Sequence, residues 1–217
     1  MAQIFPESAN SLARVSIVGG AIVFVVVVAA LAAIYRSPFV TQVNVPREQP
    51  VPFSHEHHVD VLGIDCRYCH NSVETASFAG LPSTETCMTC HSQIWTDAPM
   101  LEPVIESYET GEPIKWVRVN DLPDFVYFDH GIHVQKGISC VECHGRVDQM
   151  PLTWKTETLH MSWCLECHRR PEEFIRPREH VFTMDWDGGE ELVMGEELVR
   201  EYNIRKEQLT NCTICHR

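Results

Sequence analysis

Every cysteine of this chain lies in one of five Cys-x-x-Cys-His pentapeptides: Cys66–Cys69–His70, Cys87–Cys90–His91, Cys140–Cys143–His144, Cys164–Cys167–His168 and Cys212–Cys215–His216. Two thiols three residues apart can form thioethers to the two vinyl groups of one porphyrin, and the adjoining imidazole can then bind its iron. The pattern is the attachment signature of c-type haem, so the expected cofactor is five haem c. With 10 Cys and 12 His in 217 residues, chance placement would give on the order of 0.03 such words, and coincidence is no competitor. Structural zinc also uses Cys-x-x-Cys, but it joins half-sites in pairs to reach four ligands, and five copies do not pair evenly. A disulfide framework would not require His after every second Cys.

With His70, His91, His144, His168 and His216 used as proximal ligands, seven imidazoles remain: His55, His57, His58, His130, His133, His160 and His180. A repeated word accounts for four. Phe53-Ser-His55-Glu-His-His58 precedes Cys66, and Phe128-Asp-His130-Gly-Ile-His133 precedes Cys140. His55, His58, His130 and His133 are therefore expected on the distal sides of the irons. The fifth distal ligand is expected to be His160, with the adjoining Met161 as rival, since a thioether would raise that haem's potential. His57 and His180 read as supporting or surface residues, although His180 also competes for the fifth place.

The second half, from the Phe128 word through His160 and Cys164 to Cys212, resembles the small class III trihaem cytochromes. The resemblance implies that His130 faces the Cys140 haem, His133 the Cys164 haem and His160 the Cys212 haem. The long stretch between Cys167 and Cys212 departs from that family. Taken whole, with an apolar amino-terminal helix, five attachment words and the stretches PIKWVRVNDLPDFVYFDHGIH and LHMSWCLECHR, the chain resembles the pentahaem cytochrome subunits of alternative complex III. That resemblance implies a quinol:electron acceptor oxidoreductase with iron–sulfur and polytopic membrane subunits, passing electrons to a downstream cytochrome c or similar carrier.

The elements that must position these residues are few. Val15 to Ile34 carries no charge between Arg14 and Arg36, and as a helix it would span roughly 30 Å, the hydrocarbon thickness of a bilayer. Its length favours a retained single-pass anchor over a secretory signal peptide, despite the Ala30-Leu31-Ala32 cleavage-like site. The expected division is a cytoplasmic tail 1–14, a transmembrane helix 15–35, a Pro-rich linker 36–52, a two-haem module 53–124 and a three-haem module 125–217. Haem attachment belongs to the outer face, so the haem domain is expected on the periplasmic side of the bacterial inner membrane. Fewer than 40 residues per porphyrin cannot build an ordinary core. The expected fold is thus mostly irregular with short helices, organised around five covalent haems. A helix within 98–110 stopped by Gly111, a strand over Ile114–Val119, a helix over 196–209 and a turn at Asp187-Gly188-Gly189 complete the reading.

The net charge of −13 leaves no basic footprint for nucleic acid. Arg67, Arg118, Lys155, Arg169, Arg170, Arg176 and Arg178 are candidates to neutralise propionates, and Trp116, Tyr127, Trp154 and Trp163 to pack on porphyrins. The functional expectation is an electron relay without a catalytic residue of its own, within a quinol-oxidising respiratory or photosynthetic complex. A multihaem reductase would need an iron with an open position, and no Cys-x-x-Cys-Lys variant is present. A self-sufficient, membrane-anchored multihaem quinol dehydrogenase is the alternative, against which a single span offers little protein for a quinone pocket.

Overall fold

The computed structural model describes residues 5–6, 8–187 and 191–216. The chain divides into two compact units, Met1–Gln42 and Val43–Arg217. In the first, helix α1 (Ser8–Arg36) contains an 18-residue stretch of mean hydropathy 3.0 and buries no residue against the protein. Its 29 residues make it roughly 43 Å long, enough to cross a bilayer with a turn to spare at the ends. Arg36 ends it because Pro38 holds Ser37 in an extended conformation, φ −72° and ψ 156°. Pro38 then opens the single turn α2 (Pro38–Thr41).

The second unit contains short helices joined by irregular chain, and its described residues form no strand, only the isolated bridges Val43–Lys155 and Ile138–Ile175. The stretch after Gln42 runs along this unit. Asn44 donates its N–H to Lys155 O at 2.7 Å, and Val51 is buried. Each attachment word sits on its own helical turn: α3 (Cys66–Cys69), α4 (Thr84–His91), α7 (Cys140–His144), α8 (Met161–Arg169) and α10 (Cys212–Cys215). One turn suffices because residues i and i+3 share a helix face, which aims both sulfurs the same way. Local caps start these turns. The Asp65 carboxylate accepts the Arg67 N–H at 2.8 Å, and the Asn211 side chain accepts that of Thr213 at 3.2 Å.

Among the described residues, buried apolar side chains gather chiefly in two small clusters. Val51, Leu101 and Val104 pack with Met88, Ile114 and Trp116 beside α4, while Ile175, Leu198 and Tyr202 pack with Ile138 and Met194. The expected helix within 98–110 is a 3-10 turn (Pro99–Leu101) leading into α5 (Glu102–Thr110), closed by Gly111 at φ 74°. The expected strand at Ile114–Val119 does not form. Its Val117 N–H and C=O are satisfied by the Gln49 side chain at 2.9 Å each, which removes the need for a partner strand.

The carboxy-terminal helix begins earlier and stops earlier than the pattern over 196–209 predicts. Helix α9 (Glu191–Glu201) ends where Asn203 turns left-handed at φ 52°, and Lys206–Gln208 forms a separate 3-10 turn. Gly188 and Gly189 of the expected turn lie outside the described residues.

Gly195 sets how closely α9 lies on the Pro171–Glu173 turn, since a Cβ there would run into the Glu172 carbonyl backbone. Alanine should gain up to ~1 kcal/mol in helix propensity but lose about 1–3 kcal/mol to overpacking. Gly195→Ala is therefore expected to lower the thermal midpoint of the full chain in detergent, and an unchanged or higher midpoint would show that the contact is slack.

Candidate haem-ligand sites

The two Phe-x-His-x-x-His words have the same shape in space. Phe53 meets His55 edge-on (4.9 Å, 87°) and stacks on His58 (4.4 Å, 21°); Phe128 meets His130 edge-on (4.7 Å, 88°) and stacks on His133 (4.5 Å, 28°). The shape survives a difference in backbone, because the first word runs into a π-turn (Glu56–Val61) and the second forms helix α6 (His130–Gln135). In both, the second imidazole binds a carbonyl four residues back: His58 Nδ1 lies 2.8 Å from Ser54 O, and His133 Nδ1 lies 2.7 Å from Asp129 O.

Three of these rings face the imidazole of an attachment word. The ring centres of His58 and His91 are 6.3 Å apart, those of His130 and His144 are 6.4 Å apart, and those of His133 and His168 are 6.2 Å apart. Two imidazoles holding one metal from opposite sides, each through a nitrogen about 2 Å away, would place their ring centres about 6 Å apart. The three separations fit that requirement. His55 is drawn into the same kind of neighbourhood, since its half-buried ring feels His70 before His58 and His144.

Hydrogen bonds at the far nitrogen orient the rings. Nδ1 of His70 lies 2.7 Å from Gly80 O, of His91 3.3 Å from Ile94 O, of His130 2.9 Å from Ser77 O, of His168 2.8 Å from Leu209 O and of His216 3.2 Å from Phe125 O. His55 Nδ1 reaches the Thr153 hydroxyl at 3.2 Å. A ring that donates through Nδ1–H presents a lone pair at Nε2, the atom that a metal takes. At His144 the neighbour is the Asn120 amide nitrogen at 3.1 Å, while Asn120 Oδ1 is buried without a partner. Turning that amide by half a turn gives His144 Nδ1–H an acceptor and resolves the pairing.

Burial tunes the same groups. It lowers His55 and His144 to about 4, helped by neighbouring imidazoles, and it also lowers His58 and His133. These imidazoles stay neutral, which is the ligating form. Burial likewise pushes Cys140 and Cys167 up to about 11 and Cys143 up to about 12, keeping the thiols protonated in the folded chain.

The remaining expected site residues are distributed as follows. His160 is half-buried at the N-cap of α8, after Leu159 in a left-handed conformation, and Met161 is 59% exposed as the first residue of that helix. His57 stacks on Trp95 and His180 stacks on Trp186, both at 5.5 Å. Several candidate propionate partners already hold carboxylates of the chain: Arg67 with Asp65, Arg118 with Asp121, Arg170 with Glu166 and Glu173, and the buried Arg176 with Glu142 at 2.7 Å. Arg178 instead lies over the Tyr202 ring. Residues that pattern reading passed over include Asn120 and the carbonyls of Ser77, Gly80 and Leu209. Backbone acceptors leave no mark on residue type.

Folded around facing imidazoles and paired thiols, the second unit is built as a multihaem c-type cytochrome. Residues 126–217 match the family described as cytochrome c7 and related cytochrome c, and residues 34–110 match the class III cytochrome c family. The chain thus carries multihaem cytochrome c domains of the class III type in both halves.

Among curated proteins it is similar to the multihaem cytochrome c subunit of a menaquinone reductase from Nitratidesulfovibrio vulgaris, with 40% identity over 99 residues, 45% of this chain and 46% of the relative. It is also similar to an acrylate reductase cytochrome subunit from Shewanella woodyi, with 26% identity over 90 residues, 42% of this chain and 59% of that protein. Cytochrome c-552 of Porphyromonas gingivalis shares 39% identity over 61 residues, 25% of this chain and 12% of the relative. The chain spans about half the length of the first two relatives and far less of the third.

Because Asn120 supports only His144, its replacement should act on one site. Removing a partner that strengthens a metal-bound imidazole typically costs 10–100-fold in affinity, and tenfold corresponds to about 59 mV for one electron. Asn120→Leu is expected to shift one haem potential by tens of millivolts in a spectroelectrochemical titration and leave the others in place. Uniform movement of all potentials would sink the assignment.

Proposed function

We propose that this chain is a membrane-anchored pentahaem cytochrome c that relays electrons within a quinol-oxidising respiratory or photosynthetic complex of the alternative complex III type, towards a downstream cytochrome c or similar acceptor. The observation that carries the proposal is the set of facing imidazole pairs, 6.2–6.4 Å apart between ring centres, each joining an attachment word to a distal His. The pairs would hold His58 with His91, His130 with His144 and His133 with His168. His55 would serve with His70, and His160 with His216, while the two cysteines of each word would hold the porphyrin.

Haem bound there supplies a one-electron Fe(II)/Fe(III) couple. The residues of the chain do the rest. Imidazoles on both sides leave no place for a substrate, so the protein acts as a conductor and not as a catalyst by itself. Nδ1 hydrogen bonds such as those of His133 and His168 would hold the rings in one orientation through either oxidation state, and burial favours the neutral form of His133. The Arg176–Glu142 pair keeps a compensated charge beside the Cys140 word.

In this reading α1 anchors the chain in the bacterial inner membrane, residues 36–52 lead from it, and segments 53–124 and 125–217 carry two and three haems on the periplasmic side. The length and hydropathy of α1 support the anchor. The printed name of the menaquinone reductase subunit supports a place beside quinone-reactive subunits, and the resemblance to alternative complex III supports iron–sulfur and polytopic membrane partners.

A pyridine haemochrome assay on the full chain should return five haem c per polypeptide, with near-infrared bands of bis-imidazole ligation. A thioether band would move the fifth ligand from His160 to Met161. Carbon monoxide should bind almost none of the reduced wild type, whereas His133→Ala should open one iron to it. Substantial binding to the wild type would point to an open catalytic iron instead. Purification in mild detergent should bring along polytopic and iron–sulfur subunits; an isolated chain active with quinol would favour a self-sufficient quinol dehydrogenase.

A further inference from the structure

Contacts between the attachment words themselves order the sites in space. Tyr68, inside the Cys66 word, shares a 2.8 Å hydrogen bond with Thr89, inside the Cys87 word. The same two sites share Phe53, whose ring lies between His55 and His58. The Cys66 and Cys140 words are clamped by one short segment: Arg67 lies over the Phe182 ring at 4.6 Å, while the buried Ser139 hydroxyl donates to Val181 O at 2.7 Å. Phe128 in turn lies between His130 and His133, which face the Cys140 and Cys164 words. Finally, His168 of the Cys164 word binds Leu209 O, three residues before Cys212.

Exposure then separates the ends from the middle. Of the ten cysteines, Cys90 and Cys212 are exposed and the other eight are at least partly covered.

From these contacts we infer that the five haem sites form one unbranched series, Cys87–Cys66–Cys140–Cys164–Cys212, whose two ends, at the Cys87 and Cys212 words, carry its exposed cysteines and are where electrons enter and leave. The series crosses between the two halves of the chain only once, between the Cys66 and Cys140 words, so sequence order and spatial order differ at the first two sites. Resting on the relay reading above, the assignment gives each end one role. One electron taken at one end from a one-electron donor, such as an iron–sulfur protein, leaves at the other to a one-electron acceptor, such as a c-type cytochrome. No proton or bond is transferred. The three inner sites have no partner of their own.

The test is magnetic. In the oxidised full-length protein, each low-spin ferric haem relaxes its immediate neighbours. His58→Met at the Cys87 site should remove one paramagnet, either because a dithionite titration poised below its raised potential reduces that haem alone or because the haem is lost. Power-saturation EPR should then show a single remaining signal relaxing more slowly. His133→Met at the Cys164 site should slow two signals. Two or more affected signals in the first variant, or any number but two in the second, would overturn the order.

Hydroxyl-radical footprinting of the wild-type holoprotein provides a second measurement. The peptides around Cys90 and Cys212 should oxidise faster than those around Cys66, Cys140 and Cys164, and equal rates would remove the assignment of the ends. Neither readout depends on quinol or on a partner, so the order can fail while the relay reading stands, and the converse.

Discussion

The structure depends on a modest interaction, the hydrogen bond from imidazole Nδ1 to an oxygen of the chain. A neutral ring has two tautomers and a freely turning side chain, and one such bond selects both the tautomer and the rotation. In this protein the acceptors are mostly main-chain carbonyls: Ser54, Ser77, Gly80, Asp129 and Leu209 among them. The path of the irregular chain is therefore constrained by where those carbonyls must be. Long regular helices or sheets would consume the same acceptors in their own ladders. Short turns and loops leave them free.

That constraint also explains how the halves of the second unit lock together. His130 rests on Ser77, its own N–H also reaches Ser77 O, and Gly131 donates to Ala76 O. Gly131 has no side chain to keep it away, and a Cβ there would press on the backbone of Glu74 and Thr75 at 3.2 Å. In the opposite direction His55 reaches Thr153. The two imidazoles of each repeated word are thus held by one carbonyl of their own turn and one oxygen from the other half. Apolar packing is arranged around this framework, with Val104 of α5 and Met150 among the buried side chains.

The electrostatics follow from the same crowding. Five attachment words in so short a chain bring imidazoles and thiols within reach of one another, and burial disfavours the charged form of both. His144 and Cys143, adjacent in sequence, are pushed in opposite directions on the scale, to about 4 and about 12, with one result: both remain uncharged at neutral pH. The formal charges lie elsewhere, in pairs such as Arg146 with Asp148 and Lys206 with Glu172.

Much of the proposed chemistry is legible in residue order, because thioether attachment and proximal ligation are local: Cys, Cys and His must be neighbours on one turn, and the spacing says so. The repeated Phe-x-His-x-x-His word was legible for the same reason, as was the apolar run of α1. Expectations about regular structure fared less well. Ile114–Val119 has the composition of a strand, yet Gln49, far away in the chain, takes its hydrogen bonds; α9 stops at Glu201 because Asn203 can turn left-handed there. Residue order alone determined which atoms can carry haem. Which imidazole faces which, what orients each ring, and which attachment words touch were decided only by tertiary structure, since the deciding partners are carbonyls and loop crossings tens of residues away.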